Sequence, residues 1–167
     1  EYEALLEECT RIVVEEVESL RTVVARFREF SRPVELEPVP TDLGQLVRDV
    51  AALQRDLTVN VSVAEWLEPV LADPDRLRQI LMNLAGNAVK FTERGEVVLK
   101  VDCESRTAED AELRFSVRDT GVGIPSDKQA HIFDAFTQAD ASTTRQYGGT
   151  GLGLAISARL VQAMGGR

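Results

Sequence analysis

The sequence predicts an α+β protein, a two-layer α/β sandwich preceded by a long coiled-coil-type helix. Three observations carry this expectation. Apolar residues between Glu1 and Ser31 recur every seven positions, later segments alternate apolar and polar residues as half-buried strands do, and amphipathic helices stand between those strands. The chain has 167 residues, 44% hydrophobic and 28% charged, a globular composition with enough length for a packed core.

Leu6, Val13, Leu20 and Phe27 form one heptad series, and Tyr2, Cys9, Val23 and Phe30 a second that Glu16 interrupts. Val17 and Val24 widen the stripe. One helix cannot bury such a stripe alone, so a homodimer through this helix is expected. Arg32-Pro33 ends it, because proline disfavours helical backbone in the residue before it, and prolines 33, 38 and 40 stiffen a linker. The expected division is residues 1–33 as a helical unit, 34–40 as a linker and 41–167 as a second domain.

Thr41 is expected to cap the next helix, which runs to about Gln54 with Leu43, Leu46, Val47 and Val50 on one face. Leu57, Val59, Val61 and Val63 then alternate as in a strand. Asp73-Pro74 pairs a capping residue with proline at the first helical position and opens a helix to about Phe91. Val97, Leu99, Val101 and Cys103, then Leu113, Phe115 and Val117, mark two more strands, and the strands are expected to pair in antiparallel fashion. A last helix spans about Gly151 to Met164.

Charge excludes some functions. Lysine and arginine total 19 against 28 acidic residues, and the resulting −9 repels a nucleic-acid backbone. Cys9 and Cys103 share no metal-ligand spacing and read as reduced thiols of a cytoplasmic chain. His131 is the one histidine, which excludes sites needing two. No apolar run approaches the ~20 residues of a membrane span, and no basic-then-apolar leader opens the chain.

Chemistry concentrates later in the chain. Asn83, Asn87 and Lys90 are spaced i, i+4, i+7, which puts them within about 60° of one another as one polar stripe. Leu77, Leu81, Leu84 and Ala88 lie about 120° away and are expected to face the sheet. The plain alternative for the stripe is a solvated face. Asp119 shares strand parity with Leu113, Phe115 and Val117, so its carboxylate is expected to aim inward. The next residues, Thr120-Gly121-Val122-Gly123-Ile124-Pro125, make a turn with two bare positions against which a planar amine-bearing ring could fit. The alternative there is a turn aspartate bonding its own backbone. Six of the eleven glycines fall between Gly121 and Gly153, and Gly148-Gly149-Thr150-Gly151-Leu152-Gly153-Leu154 leads into a helix whose bare amides attract phosphate.

Gln79–Thr92, Asp119–Pro125, Ile132-Phe133-Asp134-Ala135-Phe136 and Gly149–Leu154 resemble, in order, the N, G1, F and G2 boxes of sensor histidine kinases. The resemblance covers the chain from about Thr41 to its end, and Glu1–Pro33 looks like the second helix of the family's dimerisation and phosphotransfer hairpin. It implies the Bergerat ATP-binding fold of the GHKL class, with ATP and Mg²⁺ as cofactors. It further implies that Asp119 accepts from the adenine amine while Gly121, Gly123 and Ile124 shape the adenine turn. Asn87 is implied as a Mg²⁺ ligand, with Asn83 beside it and Lys90 reaching phosphate. Phe133 and Phe136 would anchor one end of a lid, and Arg145 would meet the terminal phosphate. Gly149, Thr150, Gly151, Leu152 and Gly153 would cradle the triphosphate.

The implied activity is transfer of the ATP γ-phosphoryl group to a histidine for relay to a response regulator receiver domain. No acceptor histidine lies in this sequence, because His131 belongs to the lid, so a separate acceptor-histidine hairpin is the expected partner. The family pattern continues past Met164-Gly165-Gly166 with two further strands. Two rival readings are a GHKL ATPase, which needs a carboxylate where Asn83 stands, and a degenerate module that only dimerises and senses nucleotide.

Overall fold

The computed structural model describes residues 2–54, 57–64, 68–107, 110–137 and 150–167, except the side chains of residues 4, 19 and 29. In chain order these form α1 (Tyr2–Ser31), β1 (Val39–Thr41), α2 (Leu43–Ala52), β2 (Val59–Val63), β3 (Val70–Ala72), α3 (Pro74–Lys90), β4 (Val97–Arg106), β5 (Ala111–Asp119), α4 (Ser126–Gln129) and α5 (Gly153–Ala163). The main sheet has the order β2-β4-β5, and β1 pairs with β3 in a separate two-stranded sheet.

The periodicities place their elements well. Val97, Leu99 and Val101 on β4 are fully buried, and they stand opposite Asp119, Val117 and Phe115 of β5 in antiparallel register. Beyond Cys103 the register shifts, and the alternation ends there. The first core cluster lies between this sheet and α2 with α3, around Leu43, Val47, Val50, Leu81 and Ala85. A second cluster joins α3 to α5 through Ile80, Leu152, Ile156 and Leu160, with Phe30, Val34 and Leu84 packed against it. The central helix α3 is therefore buried on two sides.

Four expectations are corrected. Asp42, not Thr41, caps α2, its carboxylate accepting from the Gln45 amide at 2.9 Å. Thr41 is engaged elsewhere: buried at the end of β1, it donates to the carbonyls of Val39 and Ala72. Strands β2 and β4 pair in parallel, because the connection between them carries α3 as a crossover. Leu84 faces α5 rather than the sheet. The last helix starts at Gly153, since Gly151 has φ +67 and left-handed backbone cannot continue a helix.

The helix α1 forms as its heptads predict, but much of its apolar stripe is open: Leu6, Val13, Val17, Leu20 and Phe27 are all exposed. Among the described residues no helix is long and apolar enough to cross a membrane.

Candidate active site

The frame of the site is α3, and its start is fixed by Asp73. The buried carboxylate accepts from the amides of Asp75 and Arg76 at 3.1 and 3.0 Å and from Glu37 at 2.9 Å. Burial works to raise its pKa, but the Glu37, Arg76 and Asp75 amides and the Arg76 charge outweigh it and hold the group below its ordinary 3.8. The cap thus anchors α3 and the incoming chain in one step.

Along α3, Asn83, Asn87 and Lys90 share a half-buried face, as their spacing predicts. Asn83 reaches α5: its Nδ2 donates to the Gly153 carbonyl at 3.1 Å and to Ser157 Oγ at 3.2 Å. Ser157, itself buried, donates to the same Gly153 carbonyl at 3.0 Å. The glycine run therefore meets the stripe at Asn83. The side-chain amide of Asn87 carries no hydrogen bond among the described residues, so its hard oxygen is available to a ligand. Burial, and secondarily the Arg26 charge from α1, lower the Lys90 pKa below 10.5. An incoming anion would offset both effects.

At the other end of the stripe, α3 closes on Phe91, whose carbonyl accepts from the Val122 amide at 3.3 Å. A Cβ on Gly121 would lie 2.3 Å from that same carbonyl and 2.9 Å from Thr92 Oγ1. Only a residue without a side chain lets the turn after β5 seat on the end of α3. Thr120 completes the seam, donating its amide to the Glu96 carbonyl and accepting from the Glu96 amide through Oγ1. The bare position at 121 thus serves packing against α3; at Gly123, with φ +71, a Cβ would meet nothing within 4 Å.

Asp119 keeps the parity expected of it but not the burial. It is exposed, because β5 ends there and it stands at the rim of the sheet opposite Val97, the first residue of β4. Its Oδ1 accepts from the Gly121 amide at 2.9 Å, which is the turn bond of an Asp-x-Gly sequence. Oδ2 carries no hydrogen bond among the described residues. One oxygen therefore shapes the turn and the other faces outward.

Gly151 approaches the lid box so closely that a Cβ would sit 2.9 Å from the Phe136 carbonyl carbon. Its carbonyl accepts from the Phe136 amide at 3.0 Å, and Phe136 holds a left-handed φ of 65°. Phe133, Phe136 and Ile124 are exposed, and the Phe136 ring lies 6.2 Å from that of Phe27 on α1. Leu152 is fully buried as the residue before α5 and makes no side-chain cap, which leaves the first turn of that helix uncapped by side chains. His131 pairs with Asp134 at 2.9 Å on the surface. Arg145 and Gly149 lie outside the described residues.

Two features fit a nucleotide and its metal. The buried hydroxyls of Thr92, beside the Gly121 turn, and Thr150, in the glycine run, have no hydrogen-bond partner among the described residues, one toward each end of the stripe. Among the described residues no cluster of three His, Cys, Asp or Glu could form a protein-only metal cage. The Asn87 side-chain oxygen is a hard donor of the kind that suits Mg²⁺, which commonly takes few protein ligands. The sequence reading missed the Phe91 carbonyl and Ser157. Ser157 left a faint signal, standing one helical turn after Gly153.

Residues 72–167 match the family model described as histidine kinase-, DNA gyrase B-, and HSP90-like ATPase. The chain is 44% identical over 163 residues to the sensor histidine kinase AruS of Pseudomonas aeruginosa, covering 90% of this chain and 16% of that protein. It is 42% identical over 161 residues to the sensor protein GacS of Pseudomonas syringae pv. syringae, covering 89% of this chain and 18% of that protein. It thus spans less than a fifth of these relatives. Among solved structures, full-length ShkA in complex with AMPPNP superposes with a TM-score of 0.73 at 41% identity, over 90% of this chain and 31% of that one. A complex of the histidine kinase ThkA with the response regulator TrrA superposes at 0.61 with 27% identity, over 76% of this chain and 39% of that one. The chain belongs to the histidine kinase-, DNA gyrase B- and HSP90-like ATPase family, as an ATP-binding catalytic domain of the kind found in sensor histidine kinases.

Proposed function

We propose that this domain binds MgATP along the α3 stripe and transfers the γ-phosphoryl group to a histidine on a separate acceptor hairpin, for relay to a response regulator receiver domain. The carrying observation is that α3 is tied at Asn83 to the glycine run and at Phe91 to the Asp119 turn. Eight residues of helix separate these ties by about 12 Å, room for a purine at one end and phosphates at the other.

In this reading the outward Oδ2 of Asp119 accepts from the adenine amine, and Gly121, Gly123 and Ile124 form the turn beneath the ring. Asn87 holds Mg²⁺ through its side-chain oxygen, and the ion would neutralise charge on the phosphates when bound. Lys90 supplies positive charge to the phosphates. Asn83 fixes the glycine run from Gly149 to Gly153 rather than acting alone on the metal. Phe133, Phe136 and Arg145 belong to the lid. The catalysis is positioning and charge neutralisation, since the nucleophile comes from elsewhere. Water attack is disfavoured, because the Asn83 amide cannot accept a proton.

The same reading makes residues 1–33 a dimerisation helix, 34–40 a linker and 41–167 the catalytic domain, acting in the cytoplasm without nucleic acid. The free cysteines Cys9 and Cys103 are consistent with a reducing compartment. Radiolabelled ATP and Mg²⁺ test the activity. The chain should take up no acid-labile, base-stable label itself, yet should label a supplied hairpin carrying an acceptor histidine. No label on any such hairpin would favour a nucleotide-sensing module.

A further inference from the structure

A cavity of about 500 Å³ opens where the end of α1, the residues after it, the first turn of α3 and the face of α5 come together. Its walls carry four arginines, Arg28, Arg32, Arg76 and Arg159, in a chain whose net charge is −9. Arg11, Arg78, Arg106, Arg114 and Arg167 all have a carboxylate within 4.0 Å. Among the described residues none of the four cavity arginines does. The carboxylate nearest in effect, Asp73, feels the Arg76 charge but is committed to three backbone amides.

The contacts these guanidiniums do make are few. Arg159 lies 4.8 Å over the Phe30 ring and reaches the Arg32 carbonyl at 3.5 Å, and Arg76 reaches Gln79 Oε1 at 3.5 Å. A guanidinium has five N–H donors, so most of the donor capacity around the cavity is unspent. Four like charges gathered without an anion repel one another, and a bound anion removes that cost. Between them Phe30, Ile156 and Leu160 of the second core cluster give the cavity an apolar stretch of wall.

We propose that this cavity binds a small molecule carrying at least two anionic groups, carboxylate or phosphate, on an apolar body. Guanidiniums take either group in a two-pronged fashion, and the volume lies within the range of small-molecule sites. The site is distinct from the nucleotide stripe. None of its walls includes Asn83, Asn87, Lys90 or Asp119. Because Arg28 lies in the last turn of α1 and Arg32 directly follows it, while Arg76 and Arg159 sit on α3 and α5, the ligand ties the end of the long helix to the helices that frame the nucleotide site.

Calorimetry at constant ionic strength tests this with isophthalate and inorganic pyrophosphate as probes, in the presence of saturating AMPPNP and Mg²⁺ so that the stripe is filled. Isophthalate should bind one to one with a Kd below about 1 mM, and more tightly than pyrophosphate, which has no apolar body. Arg76→Gln with Arg159→Gln should weaken isophthalate by about tenfold or more. Arg28→Gln, at an exposed position that cannot unfold the domain, should weaken it several-fold, and Arg114→Gln on the sheet should leave it unchanged. An isophthalate Kd above about 1 mM, tighter binding of pyrophosphate, or equal affinity in the Arg28→Gln and parent chains would each overturn the proposal.

Discussion

Asn83 Nδ2 donates to the Gly153 carbonyl at 3.1 Å across 70 residues of sequence, and so joins the middle of α3 to the first residue of α5. Replacing it with aspartate removes the donor and sets a carboxylate against a carbonyl oxygen. Asn83→Asp should cost about 1–3 kcal/mol, and Ser157→Ala, which removes one arm of the network, about 1 kcal/mol. Urea denaturation reads both. A stability for Asn83→Asp equal to the parent would show that the bond carries no weight in solution.

In the proposed function the two oxygens of Asp119 have different tasks, which makes Asp119→Asn a clean separation of fold from binding. The asparagine oxygen can still accept from the Gly121 amide, so the melting temperature should stay within a few degrees of the parent. The amide nitrogen would then point a donor at the adenine amine, and ATP affinity should fall about tenfold or more. Calorimetry measures the affinity. Unchanged binding would remove Asp119 from the adenine site.

Asp73 makes part of the stability sensitive to acid. Its folded pKa lies below its ordinary 3.8, so its contribution is complete above 3.8 and is lost as pH falls through the folded value. Urea midpoints should therefore drop more steeply between pH 5 and pH 2 in the parent than in Asp73→Asn. At neutral pH Asp73→Ala should cost about 1–2 kcal/mol, the loss of a helix cap. Identical acid profiles for parent and Asp73→Asn would contradict the cap's role.

Leu20 stands in the open stripe of α1, 61% exposed, with Val17 and Val24 a turn away on either side and also exposed. A second copy of the helix is the proposed cover. Sedimentation should find self-association of the parent at tens of micromolar, about the strength of weak helix pairs, and Leu20→Glu should shift it to monomer. A monomeric parent at that concentration would leave the stripe for another partner.

Local pattern alone determined a large part of this protein. The heptads of α1, the strand parity that buries Val97, Leu99 and Val101 and the single face shared by Asn83, Asn87 and Lys90 follow from periods of seven, two and 3.6 residues, and the start of α3 from a capping Asp73 followed by Pro74, all within short windows of sequence. Capping of α2 did not follow, because Thr41 and Asp42 are equivalent as local caps. What separated them is a hydrogen bond from Thr41 to Ala72, 31 residues away. The parallel pairing of β2 with β4, the turn of Leu84 toward α5, the exposure of Asp119 at the sheet rim and the seat of Gly121 on the Phe91 carbonyl are likewise contacts between distant segments. Side-chain period fixes which face a residue presents, but what covers that face is settled only when the layers pack. The polar stripe of α3 was therefore legible in the sequence, while the ties that hold its two ends, and the arginine cavity, were decided by tertiary structure.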